Sequence, residues 1–404
     1  MSDPQPAAQG EATPEDALRQ VWTALRDHYP MLEYAGAIGD AWLEELLPQA
    51  RAAVGREGAF PILRALVGRL RDYHTRIEWP GVSVPARTRP DLTLTWIEEG
   101  LAVAAAGAGL GLHPGDLVLA VDGVPSGQAL ARAWEETAGA TPDAHRRNTC
   151  RHLTDGPPGS ALRLVTTAGE VALLRPPLAP RLEPDPAAIL GLQIRDDVGV
   201  LRIGAWGGGL EAAAFTDRLD ALLERVRDLP HLVIDVRGNG GGMDALADAC
   251  TGRFIDRPVV SSISFWRQPG TTTFERSVEL CQPRGPWRYG GRVAVLIDPG
   301  CASACEHFVS GMDASGQACL VGLPTTGACG LIRRIPLSCG AVLYCSMTFP
   351  LHGGVPSPLH GIEPHLRVPP TLADLRAGRD GPLEAALGWL RSQRPVPDRR
   401  NCAP

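Results

Sequence analysis

Apolar residues near the start of the chain recur at the spacing of amphipathic helices. Two sets at i, i+3, i+4 and i+7 positions are Leu18, Val21, Trp22 and Leu25, and then Phe60, Leu63, Leu66, Val67 and Leu70. Thr13 and Pro14 supply a capping residue and a proline at the first helical position, with Asp16 three residues after the cap. With a further helix around 42–53, this pattern predicts a helical module over residues 13–80, after a disordered tail at 1–12.

The pattern then changes to short apolar runs separated by glycine, proline and aspartate. Three prolines, at positions 80, 85 and 90, indicate a linker. The runs are Leu92–Trp96, Leu101–Ala105, Leu117–Val121, Leu162–Thr166 and Val171–Leu174. They predict a compact β-rich domain over 90–182. Its stretch Gly111–Gly123 resembles the most recognisable part of PDZ domains, which bind an extended peptide as an added strand.

From residue 198 onward, apolar strands alternate with helical spacing. Predicted strands are Val198–Ile203, Leu232–Val236 and Val293–Ile297, and predicted helices cover residues 215–226 and 302–312. This alternation favours a layered α/β core over 190–392, followed by a tail at 393–404.

Composition narrows the possible functions. A hydrophobic fraction of 44% and a charged fraction of 21% are those of a globular protein. A net charge of −6 offers no basic footprint for nucleic acid or for an anionic membrane surface. The N-terminus, as given, lacks the cationic and apolar regions of an export signal, so a cytoplasmic location is expected.

Cysteine and lysine usage narrows the chemistry further. The ten cysteines form no CxxC pair and no cluster with zinc-ligand spacing, so reduced thiols and no metal are expected. Cys301, Cys305 and Cys329 crowd one region, where buried thiols act mostly as small hydrophobes. No lysine occurs anywhere, so all 39 cationic residues are arginines.

Two segments carry candidate chemistry. The strand ending at Val236 runs into a turn with glycines at positions 238, 240, 241 and 242, where backbone N–H groups can approach a ligand closely. After the strand Val293–Ile297, Ser303 lies between two alanines at a predicted helix start. Free N–H groups and the helix dipole there favour an oxyanion beside the hydroxyl, although a flexible turn and a simple helix cap remain alternative interpretations.

Together these segments resemble the tail-specific (C-terminal processing) serine protease family. The glycine turn and the Ser-Ala-x-Glu segment ending at Glu306 come in the family's order, after an Asp-x-His-Thr segment that ends the helical module. The resemblance covers most of the chain and implies a Clp protease/crotonase-like layered α/β catalytic core. It implies Ser303 as nucleophile and an oxyanion hole from Gly240, Gly241 and the Ala304 N–H, with no metal or cofactor.

The family has two branches that differ in the general base. One uses a lysine, but Ala328 stands at its position in this sequence, and the chain holds no lysine. The tricorn-core-like branch takes a histidine from the helical module, which implies His74 as the base. Histidine is the residue type whose free side chain titrates close to neutral pH, which suits a general base for a serine. Tyr73 precedes it where that branch has a serine, and Glu363 is a candidate supporting acid.

These observations predict a serine peptidase that forms an acyl-enzyme on Ser303. Its partner would be a peptide or protein substrate, presented through its C-terminus to the PDZ-like domain. One alternative is an acyl-transfer or cyclisation enzyme that uses the same site. Another is a catalytically disabled protein that binds a ligand or peptide, since fold alone does not decide function.

Overall fold

The computed structural model describes residues 12–33, 35–37, 39–178, 186–268, 271, 273–352, 355–356, 360–392 and 396. Residues 1–11 of the predicted tail at 1–12, and all but residue 396 of the predicted tail at 393–404, lie outside this part of the chain. The helices are α1 (Pro14–His28), α2 (Ala41–Ala52), α3 (Gly55–Gly68), α4 (Ser126–Glu136), α5 (Pro142–Thr154), α6 (Pro186–Ile189), α7 (Ala212–Glu224), α8 (Asp244–Thr251), α9 (Ala304–Ala314), α10 (Leu372–Ala377) and α11 (Gly381–Arg391).

The strands form five sheets. They are β1 (Arg76–Glu78), β2 (Leu92–Ile97), β3 (Gly100–Ala106), β4 (Val118–Val121), β5 (Val124–Pro125), β6 (Ala161–Thr166), β7 (Gly169–Leu174), β8 (Leu190–Arg195), β9 (Val198–Ile203), β10 (His231–Asp235), β11 (Val259–Arg267), β12 (Phe274–Cys281), β13 (Arg292–Ile297), β14 (Ala318–Gly322), β15 (Ile332–Pro336), β16 (Val342–Ser346), β17 (Thr348–His352), β18 (Val355–Pro356) and β19 (Leu366–Arg367). One four-stranded sheet has the order β12-β11-β17-β18.

The chain divides into two compact units. The first contains residues 1–84, 264–277 and 330–349, and the second contains the remaining segments. In the first unit, α1, α2 and α3 bury the predicted apolar faces, and Leu18, Val21 and Leu25 are fully enclosed. Thr13 caps α1 with the predicted capping box. The later segments add β15 and β16, which join β1 in an antiparallel sheet of order β1-β16-β15.

The second unit contains the β-rich domain and the α/β core. Strands β2 to β4, β6 and β7 match the five predicted runs to within a few residues and enclose a core of leucines and valines. Helices α4 and α5 complete this domain and were not predicted. Among the buried residues of α5 are Asp143, Thr149 and Thr154, so its sequence lacks an apolar helical repeat.

The α/β core is built on a six-stranded sheet of order β19-β14-β13-β10-β9-β8. All neighbours are parallel except β8, which pairs antiparallel with β9. Alternate side chains of β10 face opposite layers: Leu232 and Ile234 pack in the cluster that includes α7, α8 and α9, whereas Val233 packs with α11. This layered arrangement confirms the predicted Clp protease/crotonase-like fold class, and it places the loops after β10 and β13 side by side.

Among the described residues, no helix has both the length and the apolar composition that crossing a membrane requires.

Candidate active site

The glycine turn after β10 is held by buried polar contacts. Asn239, which is fully buried, donates from Nδ2 to the Ile203 carbonyl at 3.1 Å and accepts the Gly241 N–H on Oδ1 at 2.9 Å. Asp298, directly after β13, accepts the Gly238 N–H at 2.7 Å and the Gly300 N–H at 2.9 Å on one oxygen. The carboxylate therefore joins the turn after β10 to the loop that leads to Ser303.

Ser303 caps the N-terminus of α9 in a strained backbone conformation. Its φ of 57° and ψ of −128° lie in a region that non-glycine residues rarely adopt. Its N–H donates to the Ala328 carbonyl at 2.6 Å, and its own carbonyl accepts the His307 N–H at 3.1 Å. A strained serine at a strand-to-helix turn is an arrangement that some hydrolases use to expose a nucleophile.

The structure brings the glycine turn into direct contact with Ser303. A Cβ at Gly241, where φ is +108°, would lie only 2.7 Å from the Ser303 Cβ and 2.9 Å from the Ala302 carbonyl oxygen. Only glycine fits this close approach without movement of the backbone. Three of the predicted residues, Gly241, Ser303 and Ala304, therefore belong to one site.

Backbone donors at this site differ in their availability. The Gly241 N–H is already engaged by Asn239. No described residue accepts a hydrogen bond from the Gly240 N–H or the Ala304 N–H. Ala304 is the first residue of α9, so its N–H also has no partner within the helix. These two amides are the ones free to bind an oxyanion.

A buried carboxyl group supports the loop that holds Ser303. Glu306 is fully buried and accepts the N–H groups of Gly327 and Ala328, each at 2.7 Å, and the hydroxyl of Thr325. Burial raises its pKa from 4.5 to about 7, against the opposing effect of these hydrogen bonds. Because Ala328 in turn accepts the Ser303 N–H, Glu306 fixes the backbone at the candidate nucleophile.

The predicted base lies in the first unit, on a loop organised by Asp72. The His74 N–H donates to Asp72 Oδ1 at 2.9 Å, and the hydroxyls of Thr75 and Ser346 each donate to Asp72 Oδ2 at 2.6 Å. His74 Nδ1 is buried, and none of the described residues forms a hydrogen bond with it. Tyr73, the preceding residue, is 51% exposed.

Glu363 is exposed to solvent, whereas Cys301 and Cys305 are buried. The Glu363 side chain is 63% exposed and forms an ion pair with Arg367 at 3.6 Å. Cys301 and Cys305 are fully buried, and the Cys301 thiol donates to the Val236 carbonyl at 3.1 Å. Burial raises the pKa of Cys301 well above its ordinary value, so its reactive thiolate form is disfavoured. The nine cysteines in the described part of the chain are free thiols.

Several supporting residues were not predicted from the sequence. Asp72, Asn239 and Asp298 each carry two or more hydrogen bonds that shape the loops around the candidate residues. The position of Asp298 offered a signal, because a polar residue directly after a buried parallel strand faces the edge where ligands bind. In the glycine turn the corresponding signal was Asn239, the one residue with a side chain among the glycines at 238–242.

Comparisons with known proteins agree with this architecture. Residues 197–368 match the model of peptidase family S41. The structure of mature CPAF superposes with a TM-score of 0.75 at 15% identity, covering 95% of this chain and 99% of that one. The structure of mature CPAF complexed with lactacystin superposes with a TM-score of 0.73 at 16% identity. The match covers 94% of this chain and 97% of that one.

A third similar structure is the photosystem II D1 C-terminal processing protease. It has a TM-score of 0.54 at 16% identity and covers 95% of this chain and 98% of that one. These structural likenesses show the fold, and the matched segment 197–368 contains the glycine turn, Ser303 and Glu306. Residues 197–368 are therefore similar to peptidase family S41, and the fold of the chain is that of the tail-specific proteases among these structures.

Proposed function

We propose that the protein cleaves peptide bonds through an acyl-enzyme on Ser303. The observation that carries this proposal is the strained Ser303 at the start of α9, in contact with Gly241 and beside two amides without acceptors among the described residues. Attack of Oγ on a peptide carbonyl produces a tetrahedral oxyanion. Donors fixed in advance stabilise such a charge at little reorganisation cost.

The oxyanion hole is formed by the N–H groups of Gly240 and Ala304. Gly241 contributes differently, because its N–H is engaged by Asn239 while its missing side chain admits Ser303. The N-terminal end of the α9 dipole adds a partial positive charge at the same place. A peptide carbonyl is neutral before attack and carries the charge afterwards, so these donors favour the transition state over the substrate.

His74 acts as the general base, in the manner of the tricorn-core-like branch. A lysine base is impossible in this sequence, and Ala328 at the corresponding position is fully buried. The Asp72 network fixes the backbone of His74 but leaves its ring nitrogens free of that carboxylate. Groups other than Asp72 therefore orient the imidazole ring of His74, and the candidates are Tyr73 and Glu363.

The β-rich domain binds the substrate peptide as a PDZ domain does. In the described sheets β2 pairs only with β3, which leaves its other edge open to an added strand. A cavity of about 760 Å³ lies along β2 and α5, and it is lined in part by Thr95, Ile97, Arg146, Arg147 and Arg367. Acidic side chains also line this cavity, and one of them, Asp143, pairs with Arg367 at 2.8 Å and with Arg146 at 3.9 Å. Arg147, which has no ion-pair partner among the described residues, is the arginine that suits a ligand with a carboxylate, such as the C-terminus of a peptide.

Labelling with a serine-directed phosphonate tests the proposal. Mass spectrometry is expected to find the adduct on Ser303 in the wild-type protein, and Ser303→Ala is expected to remove it. Ser315→Ala, just past the other end of α9, is the matched control and should label normally. Labelling of an intact Ser303→Ala protein would contradict the assignment.

Product analysis separates hydrolysis from acyl transfer. A water-derived acid as the product supports the peptidase, whereas a cyclic product or a new amide or ester would mean that another acceptor takes the acyl group. Absence of labelling and turnover in a protein that retains peptide affinity would favour a binding protein instead.

A further inference from the structure

A second cluster of reactive side chains lies where α8, α9 and β12 meet. Asp248, Cys281 and His307 place one oxygen, one sulfur and one ring nitrogen all within 4.8 Å of one another. The Cys281 thiol donates to Asp248 Oδ1 at 2.7 Å, and His307 Nε2 lies 2.8 Å from the same oxygen. The peptidase mechanism proposed above uses none of these groups.

The donor atoms match the preferences of zinc. Zn²⁺ binds cysteine sulfur at about 2.3 Å, histidine nitrogen at about 2.0–2.1 Å and carboxylate oxygen at about 2.0–2.2 Å, in tetrahedral geometry. Donors at these lengths around one ion lie roughly 3.3–3.7 Å apart. The separations of 2.7 and 2.8 Å would have to widen by less than about 1 Å, which side-chain rotation can supply.

The surroundings of His307 also suit a metal ligand. Its other ring nitrogen, Nδ1, faces Glu279 Oε2 at 3.6 Å. Imidazoles that bind a metal usually pair their second nitrogen with a carboxylate, which fixes the ring and makes it a stronger donor. Cys281 is fully buried, whereas the Asp248 side chain is 37% exposed and leaves a route for the ion to enter.

We propose that Asp248, Cys281 and His307 form a Zn²⁺ site, with Glu279 as the outer partner of His307 and water at the fourth position. Binding replaces the proton of the Cys281 thiol, and any proton on the ligating nitrogen of His307, and releases them to solvent. The spacing rules that made zinc unexpected did not reveal this site, because its ligands are widely separated in sequence and meet only through the fold.

The site lies beside the elements that surround Ser303. Asp248 lies on α8, which begins directly after the glycine turn, and His307 lies one helical turn after Ser303 on α9. The His307 N–H already donates to the Ser303 carbonyl. A metal ion bound here therefore links α8, which follows the turn that carries Gly240, to α9, which carries Ala304, and it joins both to the end of β12.

Metal loading of the full chain tests the site independently of catalysis. Chelator-treated protein dialysed against Zn²⁺ is expected to take up one equivalent and to melt at a higher temperature. X-ray absorption should show one sulfur at about 2.3 Å with nitrogen and oxygen at about 2.0–2.2 Å. Replacement of Zn²⁺ by Co²⁺ should produce a thiolate charge-transfer band.

Variants locate the ion. Cys281→Ser should abolish the sulfur signal in the absorption spectrum. His307→Gln should abolish the stoichiometric uptake of Zn²⁺. Glu279→Gln should weaken Zn²⁺ binding by about 10–100-fold. Cys150→Ser, which removes a buried thiol in the β-rich domain, is the matched control and should bind normally. Less than a tenth of an equivalent bound to the wild type, or a spectrum without sulfur, would overturn the proposal whether or not the variants fold.

Discussion

Gly241 is the residue at which backbone geometry most directly limits the chemistry. A Cβ added at position 241 would lie 2.7 Å from the Ser303 Cβ. The substituted residue would also have to adopt a backbone φ of +108°. We predict that Gly241→Ala slows phosphonate labelling of Ser303 by about 10²-fold or more, the range associated with a misplaced reacting group or oxyanion donor.

Gly238→Ala is the matched control for this prediction. Gly238 also has a positive φ, +71°, but an added Cβ there would have no neighbour within 4 Å. Gly238→Ala should lose roughly 1–2 kcal/mol of stability from the backbone strain, Gly241→Ala should lose more because its Cβ also clashes with Ser303, and only Gly241→Ala should lose labelling rate. Equal labelling rates in the two variants would show that the close approach to Ser303 has no catalytic consequence.

Glu306 makes the stability of the fold depend on pH. Its pKa is about 7 in the folded chain and 4.5 ordinarily, so the folded state holds its proton more tightly. The contribution of this group to folding is fully present below about pH 4.5 and is lost as the pH rises to about 7. The difference corresponds to on the order of 3 kcal/mol.

Glu306→Gln isolates this effect because an amide does not titrate. The amide NH₂ would face the N–H of Gly327 or Ala328, so the variant is expected to be less stable than the wild type at pH 5. That gap should narrow as the pH rises to about 7.5, as measured by denaturant unfolding. A gap that widens would mean that the hydrogen bonds outweigh burial and hold the carboxylate ionised.

The residues of the site were predictable where their chemistry is local. Ser303 and the glycine turn were recognisable because a nucleophile and backbone donors need particular residue types at strand ends. Asp72 and Asn239 were not, because their importance lies in the hydrogen bonds that they make to backbone and hydroxyl groups brought near by folding. The metal-type cluster of Asp248, Cys281 and His307 was hidden for the same reason.

At the scale of elements, apolar periodicity predicted what packs on the core. β9 matches its predicted run residue for residue, and α9 begins two residues later than expected because Ser303 occupies the cap. Apolar periodicity did not predict α5, because its buried residues are largely polar. It did not predict β12 either, because that strand is exposed along most of its length. Such elements are stabilised by hydrogen bonding and local contacts that leave no apolar pattern.

The open edge of β2 yields a prediction at this scale. Peptides that end in a free carboxylate should bind the protein more tightly than the same peptides with an amidated C-terminus, since Arg147 near β2 can pair with the charge. Fluorescence anisotropy at low salt measures the difference. Arg147→Ala should reduce the preference, and Arg132→Ala, on α4, serves as the control. Equal affinity for the two peptides would contradict recognition through the C-terminus.

At the scale of the whole molecule, the predicted nucleophile and base come from different compact units. Ser303 belongs to the α/β core, and His74 belongs to the unit formed by the helical module and two later segments. The local sequence around each residue predicts its role. Sequence does not predict the distance between them, because that distance depends on how distant segments of the chain assemble.

The central claim is that His74 activates Ser303. The rate of phosphonate labelling at Ser303, followed by mass spectrometry in the wild type and in His74→Gln, tests it most directly. We predict that the adduct forms on Ser303 in both proteins and that His74→Gln slows its formation by about 10²–10⁴-fold, the contribution of a general base. Equal labelling rates in the two folded proteins, or an adduct on a residue other than Ser303, would contradict the account.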